Sequence, residues 1–112
     1  MAEVLDMESI CFEIITNVGS AKSCFVESIG LAKQNKFDEA RAKIQEGDQC
    51  FLEGHHAHAA LIAQEADGTP VPASMILMHA EDQLMSAETA RIYAIEFIDL
   101  YEKLAKQNQT SC

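Results

Sequence analysis

The sequence predicts an all-α protein, an antiparallel three-helix bundle running up, down and up, and three observations predict it. Three long segments space their apolar residues alternately three and four apart, the period of a helix with one buried face. Hydrophobic residues make up 48% of the chain but aromatic ones only 6%, a balance that disfavours a sandwich of short strands. Both prolines, Pro70 and Pro72, fall in a single link, so the stretches on either side carry no proline to break a helix. With 112 residues the chain fits one domain, 1–112, whose small core would gain from oligomerisation.

The first helix is expected over residues 3–34, on the seam Val4, Met7, Cys11, Ile14, Val18, Ala21, Phe25, Ser28 and Ala32. Ile10, Cys24 and Leu31 widen that seam on one side and Ile15 on the other, which suits a bundle helix better than a two-stranded zipper. Lys33, Lys36 and Asn35 favour a tight turn after it, because Asn tolerates the left-handed conformation of a helix cap. The second helix follows over 38–66, with Asp38 as cap or first-turn acid and the seam Ala40, Ile44, Gly47, Phe51, Gly54, His58 and Leu61. Its small residues allow close approach of a neighbour. Asp67-Gly68-Thr69-Pro70 stops it, and Ser74 caps a third helix over 74–106.

That third helix is apolar on more than one face. Leu77, Ala80, Leu84, Ala87, Ala94, Ile98 and Tyr101 make one line; Met75, Met78, Met85 and Ile92 make a second; Phe97, Leu100 and Leu104 add a third. A helix of a monomeric three-helix bundle needs one such stripe. The surplus faces therefore predict packing against other subunits, most economically in a closed ring with the third helices at its centre. Among these residues stand His79 and Asp82, three apart and so about one turn from each other on neighbouring faces. A carboxylate in apolar surroundings stays ionised only with a cation, a donor or a partner outside the single chain. From periodicity alone, His79 reads as a core histidine hydrogen-bonded to Asp82.

The net charge of −10, from 18 acidic against 8 basic residues, argues against nucleic acid or an anionic membrane as partner, since both demand basic surface. Met1 to Asp6 shows no basic segment followed by an apolar core, and no apolar run approaches the roughly 20 residues that span a bilayer. A cytoplasmic protein with no direct membrane insertion is expected. Cys11, Cys24, Cys50 and Cys112 form no Cys-x-x-Cys pair and read as reduced thiols. His55, His56 and His58 raise a metal-binding bundle as an alternative, with Glu53 and His56 forming one Glu-x-x-His. A carboxylate-bridged metal bundle needs that motif twice, so polar seam or interface positions are the expectation there.

Met78-His79-Ala80-Glu81-Asp82-Gln83-Leu84-Met85, with Gly54-His55-His56 before it and Ile98-Asp99-Leu100-Tyr101-Glu102-Lys103 after it, resembles the lactose/cellobiose-specific enzyme IIA family of the bacterial sugar phosphotransferase system. The resemblance covers nearly the whole chain. It implies a homotrimer of three-helix subunits, a nine-helix bundle. It implies that His79 takes a phosphoryl group from the phosphohistidine of HPr, with tele-phosphorylation expected, and hands it to a cysteine of enzyme IIB. It further implies that Asp82 from three subunits meets around one divalent metal, Mg2+, on the threefold axis. Where the family commonly reads His-Ala-Gln-Asp-His, this chain has Glu81 and Gln83, which leaves His79 the only histidine in the motif. In a ring of third helices Glu81 would approach the His79 of a neighbouring subunit.

The chemistry suits the residue. A neutral imidazole is a good nitrogen nucleophile near pH 7 and needs no strong base, and its phosphoramidate keeps enough transfer potential to pass the group to a thiolate. Trp is absent, aromatic residues are few and no carbohydrate cleft is visible, so sugar specificity is expected in the membrane component, whether the disaccharide is of the cellobiose, lactose or chitobiose type. A non-catalytic helical module that docks a partner through the third helix is the remaining alternative.

Overall fold

The computed structural model describes residues 6–110 and consists of three helices: α1 (Met7–Lys33), α2 (Phe37–Ala66) and α3 (Met75–Thr110). The expected all-α bundle is present. Its envelope of 70 × 21 × 17 Å is that of a slender rod, of which the 36-residue third helix alone spans about 54 Å.

Each helix end has a local cause. Asp6 keeps an extended backbone (φ −79°, ψ 97°) and its carboxylate accepts from the Ser9 amide and hydroxyl, so α1 begins at Met7; the expected start at residue 3 lies outside the described residues. At the other end Asn35 adopts φ 61°, and the amides of Asn35 and Lys36 donate to the carbonyls of Ala32 and Leu31. The turn is therefore short enough to force α2 antiparallel to α1. Lys36 precedes α2 without a side-chain cap, and Asp38 and Glu39 sit in the first turn, where carboxylates favour the positive end of the helix dipole. Gly68 at φ 94° ends the α2 region, and the Ser74 hydroxyl accepts from the Leu77 amide to start α3. The third helix runs on to Thr110, past the expected stop at residue 106.

Two clusters fill the core, and α1 contributes to both. At one end Cys11, Ile14 and Val18 meet Leu61 of α2 and Ala80, Leu84 and Ala87 of α3; at the other Ala21, Phe25 and Ala32 meet Ala40, Ile44, Ala94 and Ile98. Glycines bring α2 close to α1. A Cβ on Gly47 would lie 2.5 Å from the Phe25 ring, and one on Gly54 would lie 2.6 Å from a Val18 methyl, so neither position admits a side chain without displacement. Buried Ser28 is satisfied by donating to the Phe25 carbonyl at 2.6 Å. In contrast α2 and α3 make few direct contacts with each other, since α1 occupies the space between their inner faces. Cys11, Cys24 and Cys50 are free thiols, as expected, and Cys112 lies outside the described residues.

Candidate functional site

The face of α3 that packs on α1 decides where its other residues stand. With Ala80, Leu84 and Ala87 buried, each helix step of about 100° carries His79 and Asp82 to the surface, where both are exposed. Met75 (79% exposed), Met78 and Met85 (58% each) surround them. Neither His79 nor Asp82 makes a hydrogen bond or ion pair with any described residue. A buried histidine held by Asp82, the reading from periodicity alone, is thus replaced by an open imidazole on an apolar surface. An imidazole with no partner keeps a ring lone pair free to attack an electrophile.

Glu81 lies on the opposite flank of the helix and has a partner inside its own chain. Its Oε1 is 3.0 Å from Nε2 of His58 on α2. That contact gives the Glu81 carboxylate a partner within its own chain, on the flank of α3 turned toward α2. On the α1 side Glu81 faces Cys11, whose thiol is pushed up by burial and further by the Glu81 carboxylate. Burial likewise raises Cys24. Both thiols stay protonated near neutrality and offer no nucleophile.

His55 and His56 are exposed, and His58 is engaged by Glu81. Among the described residues no three His, Cys, Asp or Glu side chains come together as a cation-binding group within the chain, so the three histidines are not assembled with Asp82 into one site. Further along, α2 and α3 flank a groove of about 400 Å³ lined by Asp48, Phe51, Leu52, His55, Arg91 and Ile92. Arg91 binds Asp48 across it with hydrogen bonds of 2.6 and 3.1 Å, a contact that the sequence reading missed. The signal was available: Arg91 occupies the gap between Ala87 and Ala94 in the inner line of α3.

The outer face of α3 thus combines an exposed, unpartnered imidazole with an exposed carboxylate on an apolar helix surface. The sequence profile described as PTS system, Lactose/Cellobiose specific IIA subunit matches residues 9–102, and the chain belongs to that family. It is 38% identical over 106 residues to the lichenan-specific phosphotransferase enzyme IIA component of Bacillus subtilis, covering 95% of this chain and 96% of that one. It is 32% identical over 98 residues to the lactose-specific EIIA component of Staphylococcus epidermidis, covering 88% and 94%. The crystal structure of the PTS cellobiose-specific enzyme IIA from Bacillus anthracis superposes with a TM-score of 0.88 at 39% identity, over 93% of this chain and 95% of that one. A solution structure of the IIA(Chitobiose)–HPr complex of Escherichia coli gives 0.78 at 30% identity, over 91% and 99%. No helix among the described residues is long and apolar enough to cross a membrane.

Proposed function

We propose that this chain is a phosphocarrier of the sugar phosphotransferase system in which His79 accepts the phosphoryl group of phospho-HPr and delivers it to the cysteine of a cognate enzyme IIB, during uptake of a β-linked disaccharide of the cellobiose, lactose or chitobiose type. The observation that carries this reading is the exposed, unpartnered imidazole of His79 in a chain of the enzyme IIA family. The Nε2 lone pair attacks phosphorus as the P–N bond to the donor histidine breaks, and the leaving imidazole takes the electron pair of that bond. In the next step the thiolate of enzyme IIB attacks the same phosphorus and the P–N bond to His79 breaks in turn. Little covalent assistance is required, and catalysis rests on positioning the two partners in line.

The reading extends to assembly. Met75, Met78, Met85 and Ile92 form an exposed apolar line on α3, with Asp82 within it, and such a line is covered when third helices of three chains pack together as a homotrimer. One chain supplies a single carboxylate there, so the donor set fits a divalent cation only when Asp82 comes from three subunits. When bound, Mg2+ would supply neutralisation of three carboxylates whose mutual repulsion, unscreened, would be several kcal/mol. A cytoplasmic location agrees with the expected soluble partners.

Incubation with enzyme I, HPr and phosphoenolpyruvate, followed by mass measurement of proteolytic peptides, tests the central step. One phosphoryl group per chain is expected on the peptide holding His79, and none on a His79→Gln variant of unchanged helicity. Label on His55, His56 or His58 in that variant would overturn the assignment.

A further inference from the structure

The polar ties between α2 and α3 are unevenly spread along the rod. From the middle of α3 onward, Arg91 holds Asp48, and Arg41 reaches both Asp99 and Glu102. Ahead of Arg91, over the turns that carry His79, one side-chain hydrogen bond joins the two helices among the described residues: His58 to Glu81 at 3.0 Å. The His58 side chain is 17% exposed and that of Glu81 45%, so the contact is shielded from water on the His58 side. The apolar packing beneath the same turn is Ala80, fully buried against α1, and Leu84, 8% exposed, with Ile76 and Leu77 packed alongside. These side chains choose which stripe of α3 faces α1, and the His58 contact adds a directional tie on the flank toward α2.

We propose that Glu81 is a positioning residue for phosphotransfer, acting through His58: their hydrogen bond fixes the rotation of α3 at the turn that presents His79. The inference rests on His79 being the acceptor. Glu81 and His79 are two residues apart and lie about 200° from each other around the axis, so a pull on one flank sets the direction of the other. A rotation of about 10° moves an atom about 6 Å from the axis by about 1 Å. Displacements of that size at a reacting atom can cost about 100-fold in rate. His58 and Glu81 touch neither partner nor phosphoryl group in this scheme, and their effect belongs to the rate of transfer and not to the affinity for HPr.

Single-turnover transfer from phospho-HPr, followed over a range of HPr concentrations, separates the maximal rate from the half-saturating concentration. Glu81→Ala and His58→Ala are each expected to lower the maximal rate about 10-fold or more, with the half-saturating concentration changed by less than about two-fold. Glu81→Gln keeps an oxygen that accepts from His58 and should stay within about three-fold of wild type. The double variant His58→Ala with Glu81→Ala should be no slower than the slower single one, because both remove one and the same contact. Circular dichroism accompanies each protein, and His58→Leu, which fills the space without the bond, carries the comparison if an alanine variant unfolds. A wild-type maximal rate in Glu81→Ala, a loss confined to half-saturation, or a Glu81→Gln protein as slow as Glu81→Ala would each overturn the proposal. Failure of the wild type itself to take a phosphoryl group on His79 would overturn the acceptor assignment instead.

Discussion

Leu84 and Met85 are adjacent in sequence and similar in size, yet the first is 8% exposed in the core and the second 58% exposed. The same contrast runs along α3, between Ala80, Ala87, Ala94 and Ile98 on one side and Met75, Met78 and Ile92 on the other. The inner face is spent on folding the chain. The outer face gives a single chain little stability, and it is there that His79 and Asp82 stand. Apolar surface kept in water beside an exposed histidine marks a region shaped for contact with other molecules, and methionine, flexible and polarizable, suits such contacts.

Breaking the inner face should have the largest effect on folding. Leu84→Ala is expected to cost about 2–5 kcal/mol in chemical unfolding, whereas Met85→Ala should change the stability of the separated chain by less than about 0.5 kcal/mol. Sedimentation equilibrium sharpens the same contrast, since Met85→Lys should shift the proposed homotrimer toward the mass of one chain. A cost for Met85→Ala equal to that of Leu84→Ala in a monomeric protein would erase the distinction between the faces.

Asp82 tests whether the outer face is organised around charge. Replacing it by Leu is expected to keep or raise the stability of the assembly, by as much as about 1–4 kcal/mol, because apolar packing often matches or exceeds a buried charge cluster. The same change should abolish any dependence of melting on chelator. If chelator shifts wild type no more than Asp82→Leu, no cation is held at Asp82.

Overfilling the inner face comes next in size. Ala87 is fully buried against α1, and Ala87→Leu should destabilise by about 1–3 kcal/mol through strain, measured by urea unfolding. An unchanged midpoint would mean that α3 can move away from α1 at no cost.

The smallest effect separates the helix starts. Ser74 caps α3 with a hydroxyl, but Asp6 caps α1 with a carboxylate whose pKa is lowered from 3.8 by the hydrogen bonds from Ser9. A lowered folded pKa means that the cap stabilises the fold fully above its ordinary value and that this contribution is lost as pH falls below it. Asp6→Ala should therefore be slightly less stable than wild type at pH 7, with the difference shrinking below pH 3.8 in parallel acid titrations followed by circular dichroism. Ser74→Ala should show no such convergence.

The spans of the helices and the residues of the inner seam were legible in the sequence because both follow from local causes. Cys11, Ile14, Val18, Ala21, Phe25, Ser28 and Ala32 recur at the helical period, and all are buried. Asn35 is placed by its tolerance of positive φ, and Ser74 by a hydroxyl that reaches its own helix. His79 and Asp82 were found by their oddity among apolar neighbours and by a motif, but periodicity alone put them in the core, since a helix with several apolar stripes does not say which one is inside. Packing against α1 made that choice. The partners of Glu81 and Arg91 were decided only by the tertiary structure, for a related reason. A sequence fixes the angle of each side chain about its own helix axis, while which residues of two helices meet depends on how far each helix is turned and shifted against the other. That relation depends on the contacts of both helices with α1 together with the ties between them, His58 with Glu81 and Asp48 with Arg91, none of which the periodicity of a single helix shows.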